Sequence, residues 1–197
     1  MKVFFLQKKI LKCIYSFFVL SFLLCPVFAM NSTRGLDGFV EAPIDASKNA
    51  RLHSNMGNIY FSEKNYIDAL KEYEIAFNLA YNTQASGAYL YNIARCHYAL
   101  NNYLTAKNAV LGAIKKDCIN ITYYQLLVDC YIKLGIVEKE LKSHIKQTDN
   151  PYNRVIVGLI YLKTNRKIQA KATFDDFIAT HPDMIISEDI KTILNKI

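Results

Sequence analysis

The chain of 197 residues contains no tryptophan, only 7 glycines and only 4 prolines. An all-β domain needs many tight turns, and glycine and proline are the residues that most often make them. Their scarcity therefore disfavours a β-rich fold and favours long helices. Hydrophobic residues make up 52% of the chain, and 14 tyrosines with 11 phenylalanines supply large side chains for a core.

Charge and cysteine are also sparse once the N-terminal segment is considered apart. The formal net charge is +7, but four of the lysines lie ahead of Cys13, so the remainder has little excess of either sign. That balance gives no electrostatic reason to predict a nucleic-acid partner. Outside residues 1–29 the cysteines are Cys96, Cys118 and Cys130. We expect them to be buried as small apolar side chains, and Cys96 and Cys130 not to be bridged.

Residues 1–29 have the organisation of a secretory signal peptide. A basic start is followed by an uncharged apolar run from Cys13 to Ala29, with small residues at the expected cleavage positions. We predict cleavage near Ala29 and a periplasmic or secreted protein. The alternative is an uncleaved anchor, in which residues 13–29 hold the protein at the membrane. Residues 30–49 contain Gly, Pro, Asp and Ser without an apolar period, and we predict a flexible linker there.

From residue 50 a helical pattern recurs along the chain, and its equivalent positions are Gly57, Ala94, Val128 and Gly158. Each of the three small residues among them is followed in the next predicted helix by an alanine, and in two cases also by an aromatic residue, Tyr73 or Phe174. Small residues let two helices cross closely, and the aromatic ring fills the space beside the crossing. This pattern resembles the tetratricopeptide repeat. The resemblance implies an all-α fold, a right-handed superhelical stack of four antiparallel helix hairpins, known as an α-solenoid.

The third repeat departs from the pattern. Glu140, His144 and Gln147 stand where the other repeats have alanine, a large apolar residue and a further apolar residue, and the next repeat begins about one turn early. We predict that its second helix is shortened and packed less deeply. The array should end with a capping helix in which Ser187 is the N-cap. The predicted repeats are 50–83, 87–119, 121–149 and 151–183, and the capping helix is 187–197.

No motif for catalysis, a metal or a cofactor is present. There is no Cys-x-x-Cys or His-x-x-x-His spacing, no glycine-rich phosphate loop and no nucleophile elbow. Cys96 and His97 are adjacent, but consecutive helical residues point about 100° apart, so the two do not form a catalytic pair. We therefore predict no catalytic, metal-binding or cofactor-binding residue, and no enzyme.

In the architecture that the resemblance implies, the first helices of the repeats line a concave groove that binds an extended peptide. Asn, Gln, Tyr and Arg on this face can hydrogen-bond a peptide backbone and stack on its side chains. Capture of a C-terminal carboxylate is disfavoured, because Ser54, Thr122 and Leu126 stand where some relatives have basic residues. The candidate groove residues are Ser54, Asn58, Phe61, Tyr91, Asn92, Arg95, Tyr98, Gln125, Asp129 and Lys133.

The function predicted from these features is an adaptor that binds a protein or peptide in the groove, in the assembly of an envelope or secreted complex. The alternative is a membrane-anchored structural or assembly subunit that uses its convex face or the degraded third repeat. An enzyme is the third and least supported class. A membrane contact is expected only through an uncleaved leader.

Overall fold

The computed structural model describes residues 46–147 and 149–197, and within them the chain forms nine α-helices. The predicted signal peptide and most of the predicted linker lie outside the described residues. The helices are α1 (Ala46–Ser62), α2 (Tyr66–Leu79), α3 (Ser86–Ala99), α4 (Tyr103–Lys116), α5 (Ile121–Lys133), α6 (Val137–Lys146), α7 (Tyr152–Lys163), α8 (Lys167–Thr180) and α9 (Ile186–Leu194).

These helices pair as four consecutive hairpins. Helix α1 packs on α2, α3 on α4, α5 on α6 and α7 on α8. The second helix of each hairpin also packs on the first helix of the next, and α9 packs on α8. The predicted fold class, an all-α stack of four hairpins with a capping helix, is confirmed.

The same turn ends the first helix of every hairpin. One residue adopts a left-handed conformation, and the following N–H donates to the carbonyl five positions back, from Asn65 to Tyr60 (2.9 Å) and from Arg166 to Tyr161 (2.8 Å). This is the Schellman arrangement, which satisfies carbonyls left unpaired at a helix end. It recurs in the third hairpin, so the repeat is preserved there. The left-handed residues are Lys64 (φ 62°), Asn101 (φ 63°), Gly135 (φ 69°) and Asn165 (φ 62°).

Close crossings of the two helices form the centres of the first and fourth hairpins. A Cβ atom added at Gly57 would lie 2.7 Å from Cε1 of Tyr73, and one added at Gly158 would lie 2.7 Å from Cδ1 of Phe174. Both rings are fully buried. The predicted role of glycine at these crossings is confirmed, because any side chain there would collide with the ring that fills the hairpin.

The third hairpin is built differently. Val128 occupies the crossing position and His144 occupies the position of the ring. Helix α6 has 10 residues and buries only Leu141, whereas α8 has 14 residues and buries three. Helices α5 and α6 share the least contact of the four pairs, and α5 instead contacts α7 directly. The prediction of a shorter and less deeply packed second helix is confirmed.

Two predicted boundaries are wrong by a few positions. Helix α1 begins at Ala46, inside the predicted linker, because residues 46–49 contain no glycine or proline that would stop a helix. Helix α9 begins at Ile186 and ends at Leu194, so Ser187 is not its N-cap. The Ser187 hydroxyl is buried and donates to the His181 carbonyl (2.7 Å), while Ile186 is buried in the core.

Candidate functional site

Six of the ten candidate groove residues line one cavity of about 320 Å³. Phe61 comes from α1, while α3 and α5 contribute three and two of the six. We call this space the first-helix cavity, because three first helices form most of its wall. The six residues are Phe61, Tyr91, Arg95, Tyr98, Gln125 and Asp129, and Ala99, Thr122, Leu126 and Lys163 complete the lining.

Arg95 is one of the two cations that line the first-helix cavity. Its guanidinium carbon lies 4.1 Å from the ring centroid of Phe61 and 5.9 Å from that of Tyr91. A guanidinium over an aromatic face is held by the ring quadrupole, and its planar shape limits the motion of the group. Its Nη1 also donates to Oδ1 of Asn92 (3.3 Å). Across 46–147 and 149–197, no carboxylate lies within ion-pair distance of Arg95.

The other charges of the first-helix cavity neutralise each other. Lys163, the last residue of α7, places its Nζ 2.8 Å from Oδ1 of Asp129 on α5. Lys163 was not predicted as a groove residue. Its equivalent one repeat earlier, Lys133, does not line the cavity, so the repeat pattern gave no signal for Lys163. With Asp129 and Lys163 paired, Arg95 supplies the uncompensated charge.

Aromatic pairs hold the wall of the first-helix cavity. Phe61 packs edge-on against Tyr66 with centroids 5.2 Å apart, and Tyr98 packs in the same way against Tyr103. This geometry is favoured by aromatic quadrupoles and restricts ring motion. Burial, with the charge of Asp129 nearby, raises the pKa of Tyr98. The Tyr98 hydroxyl therefore stays protonated at neutral pH and is able to donate a hydrogen bond.

The remaining four candidates do not line the first-helix cavity. Ser54 is buried. Asn58 accepts a hydrogen bond from the hydroxyl of Tyr73 (2.7 Å), and Asn92 accepts one from Arg95. Lys133 is the last residue of α5 and is exposed. The structure thus assigns the two asparagines to positioning other side chains and places Lys133 outside the cavity.

A second space of about 340 Å³ lies where α6 is short, and we call it the third-hairpin cavity. Its charged groups are already paired, since Nη1 of Arg154 lies 3.1 Å from Oδ2 of Asp176 and donates to Oγ1 of Thr180 (3.0 Å). This leaves a recess with a mainly apolar lining and without an uncompensated charge. Its lining residues are His144, Ile145, Gln147, Arg154, Val157, Ala172, Thr173 and Asp176.

Three of the four histidines serve packing and hydrogen bonding. Nδ1 of His53 lies 2.7 Å from Oε2 of Glu72, and the ring of His181 stacks on Phe177. His144 joins Asn153 (2.8 Å) to the hydroxyl of Tyr131 (3.4 Å). Within the part of the chain that the structure describes, no three or more His, Cys, Asp and Glu residues come close enough to hold a metal ion.

The three cysteines that the structure describes, Cys96, Cys118 and Cys130, are free thiols. Cys96 and Cys130 are fully buried, as predicted, and burial raises the pKa of each to about 12. A reactive cysteine needs a lowered pKa, so neither thiol is suited to be a nucleophile. Cys118 is half-buried and its Sγ lies 3.2 Å from the hydroxyl of Tyr152.

None of the helices described is both long enough and apolar enough to cross a membrane. This finding concerns residues 46–147 and 149–197, and the predicted leader lies outside them.

The architecture and its recurring turns define the class of the described region: an α-solenoid of consecutive antiparallel helix hairpins. No family model matches the chain, and no curated protein matches it either. Among solved structures it is similar to a tetratricopeptide repeat protein from Parabacteroides merdae, with 17% identity and a TM-score of 0.49, over 76% of this chain and 60% of that one.

Two further solved structures are similar at the same level. One is a thermophilic tetratricopeptide protein in Thermus thermophilus, with 17% identity and a TM-score of 0.45, over 75% of this chain and 80% of that one. The other is YrrB, described as a tetratricopeptide protein with an unusual peptide-binding site, with 18% identity and a TM-score of 0.44, over 75% and 76%. These values are too low to transfer a function, and the assignment of class rests on the hairpins themselves.

Proposed function

We propose that this protein is an interaction adaptor that binds an extended segment of a partner protein in the first-helix cavity. The observation that carries the proposal is the state of Arg95. Its guanidinium is held over Phe61 and by Asn92, and among the described residues it has no carboxylate partner. A preorganised cation inside an aromatic-walled recess favours a ligand that supplies a hydrogen-bond acceptor or a negative charge.

The other groups around Arg95 suit a peptide. Tyr98 offers a hydroxyl donor, and Gln125 offers an amide that can both donate and accept. Tyr91 presents a ring whose centroid lies 4.8 Å from that of Tyr123, which supports it from behind. Together these groups match the alternation of amide and side chain along an extended peptide.

The place of action that we propose is the envelope or the outside of the cell. The support for it is the leader pattern of residues 1–29, with its basic start and uncharged run. Sequencing the N-terminus of the protein isolated from its own host tests this directly. We expect a first residue near Met30 in the extracytoplasmic fraction, and a cytoplasmic chain that starts at Met1 would contradict export.

The second candidate function is an assembly subunit that docks through the third hairpin. The observation that favours it is the third-hairpin cavity of about 340 Å³ beside the shortened α6. Its charges are paired internally, so it offers less drive for a charged ligand than Arg95 does. We therefore rank it second.

Crosslinking capture from the native host, followed by comparison of variants, separates the two functions. Arg95→Glu and Tyr91→Ala should each lose the captured partner while the helical signal in circular dichroism stays unchanged. Lys133→Glu is the matched control, because it reverses a charge on α5 outside the cavity. Capture that survives Arg95→Glu but is lost on Thr173→Arg, in the third-hairpin cavity, would favour the second function.

A further inference from the structure

An apolar stripe runs along the outer side of α1, at the N-terminal end of the stack. Leu52, Met56 and Ile59 are 53%, 42% and 57% exposed. They are spaced four and three positions apart, which places them on one face of the helix. Three large apolar side chains side by side in water are unfavourable, because each loses the stabilisation that burial of its surface would supply.

The equivalent residues of the next repeat show which contact this face makes there. The counterparts of these residues one repeat later are Tyr89, Ile93 and Cys96, and all three are buried. Ile93 and Cys96 pack in one cluster with Ala69 and Tyr73 of α2, the second helix of the preceding hairpin. The stripe on α1 therefore continues an interface that the three later hairpins already use, at the one position where no described hairpin precedes.

The opposite end of the stack is closed. Ile186 and Ile190 of α9 are fully buried in the core, while Glu188, Asp189 and Lys191 on the same helix are exposed. A second copy that approached head to tail would present this charged surface to the stripe. A stack of copies in one direction is thus disfavoured, and a two-fold contact between two N-terminal ends brings apolar surface to apolar surface.

Charges at the two ends of the stripe match such a two-fold contact. Lys48 and Glu63 are both exposed, and they continue the line of the stripe beyond Leu52 and beyond Ile59. If two copies of α1 cross antiparallel at the midpoint between residues 55 and 56, Leu52 meets Ile59 of the other copy. The same geometry brings Lys48 opposite Glu63, twice per pair of chains.

We infer that the protein forms a symmetric dimer in which the α1 stripe packs antiparallel on the stripe of a second copy. Phe61 of the first-helix cavity lies two positions after Ile59, about 200° around the helix, so the dimer leaves the cavity open. The inference is independent of the proposed function, because the two surfaces share no residue.

Sedimentation velocity of the protein isolated from its own host, over a range of concentrations, tests the dimer. We expect a dimer that dissociates on dilution, and we expect Met56→Glu to raise its Kd at least about tenfold while the thermal melt of the diluted protein is unchanged. Ile168→Glu is the matched control, because Ile168 on α8 is 85% exposed and lies on a different surface. It should leave the Kd unchanged.

A charge exchange tests the antiparallel register. Lys48→Glu and Glu63→Lys should each weaken the dimer, and the variant carrying both changes should recover it, because both pairs of opposite charges are restored across the two-fold axis. A protein that stays monomeric at all concentrations would overturn the inference, whether another protein or another part of the chain covers the stripe. A dimer insensitive to Met56→Glu, or a double variant as weak as the single ones, would overturn it as well.

Discussion

The third and fourth hairpins use the same turn and differ in what fills them. In the fourth, Gly158 lets the ring of Phe174 lie against the backbone of α7, and α8 buries three side chains. In the third, Val128 takes the place of the glycine and His144 takes the place of the ring. Helix α6 buries one side chain. A change at the crossing thus accompanies the change from a tightly packed pair of helices to a loose one.

The turn of a hairpin and the packing of its two helices are separable. Gly135 and Asn165 adopt nearly the same left-handed angle, and the same hydrogen bond follows each of them. The direction of the second helix is therefore kept while its depth is lost. The stack remains continuous because α5 contacts α7 directly and closes the interval that α6 leaves.

Phe174 and His144 occupy equivalent positions, and truncating each of them should give the largest difference in stability between the two hairpins. Phe174→Ala removes a fully buried ring, and we expect a loss of about 3–5 kcal/mol in the free energy of unfolding. His144→Ala removes a half-buried ring and its bond to Asn153, and we expect a loss of about 1–2 kcal/mol. Urea denaturation of both variants measures the difference. Equal losses would show that α6 is packed as firmly as α8.

Replacing Gly158 of the fourth hairpin with valine, the residue at the equivalent position of the third, should have a smaller effect on stability. Gly158→Val adds a side chain where even a Cβ collides with Phe174, so α8 must move outward, and we expect a loss of about 1–3 kcal/mol in the free energy of unfolding. Gly135→Asn is the control, since asparagine already adopts the same angle at Asn101 and Asn165. A Gly158→Val variant as stable as the parent in urea would refute the explanation from close packing.

The fold could be predicted from the sequence because its determinants recur. Small residues at positions 57, 94 and 158, with alanines at positions 69, 106 and 170, mark the crossings, and the interior hairpins then follow from them. The start of α1 could not be placed in this way, because no apolar period extends to Ala46. The true start of α9 depends on burial of Ile186, which is a tertiary contact.

The lining of the first-helix cavity could be predicted only in part. Lining residues that come from a single helix, such as Tyr91 and Arg95, follow from helical spacing. The position of Lys163 beside Asp129 could not be predicted, because it depends on how α5 and α7 come together. The burial of Ser54 could not be predicted for a related reason, since it depends on neighbours that the repeat pattern does not specify.

Native-state amide hydrogen exchange tests most directly the claim that the third hairpin is the loose joint of the stack. Amides close to few buried contacts open in local fluctuations, whereas those in a tightly packed helix open only with larger units. We predict that protection factors from Leu141 to Lys146 in α6 are at least about tenfold lower than those from Phe174 to Thr180 in α8. Equal protection in the two helices would contradict the account.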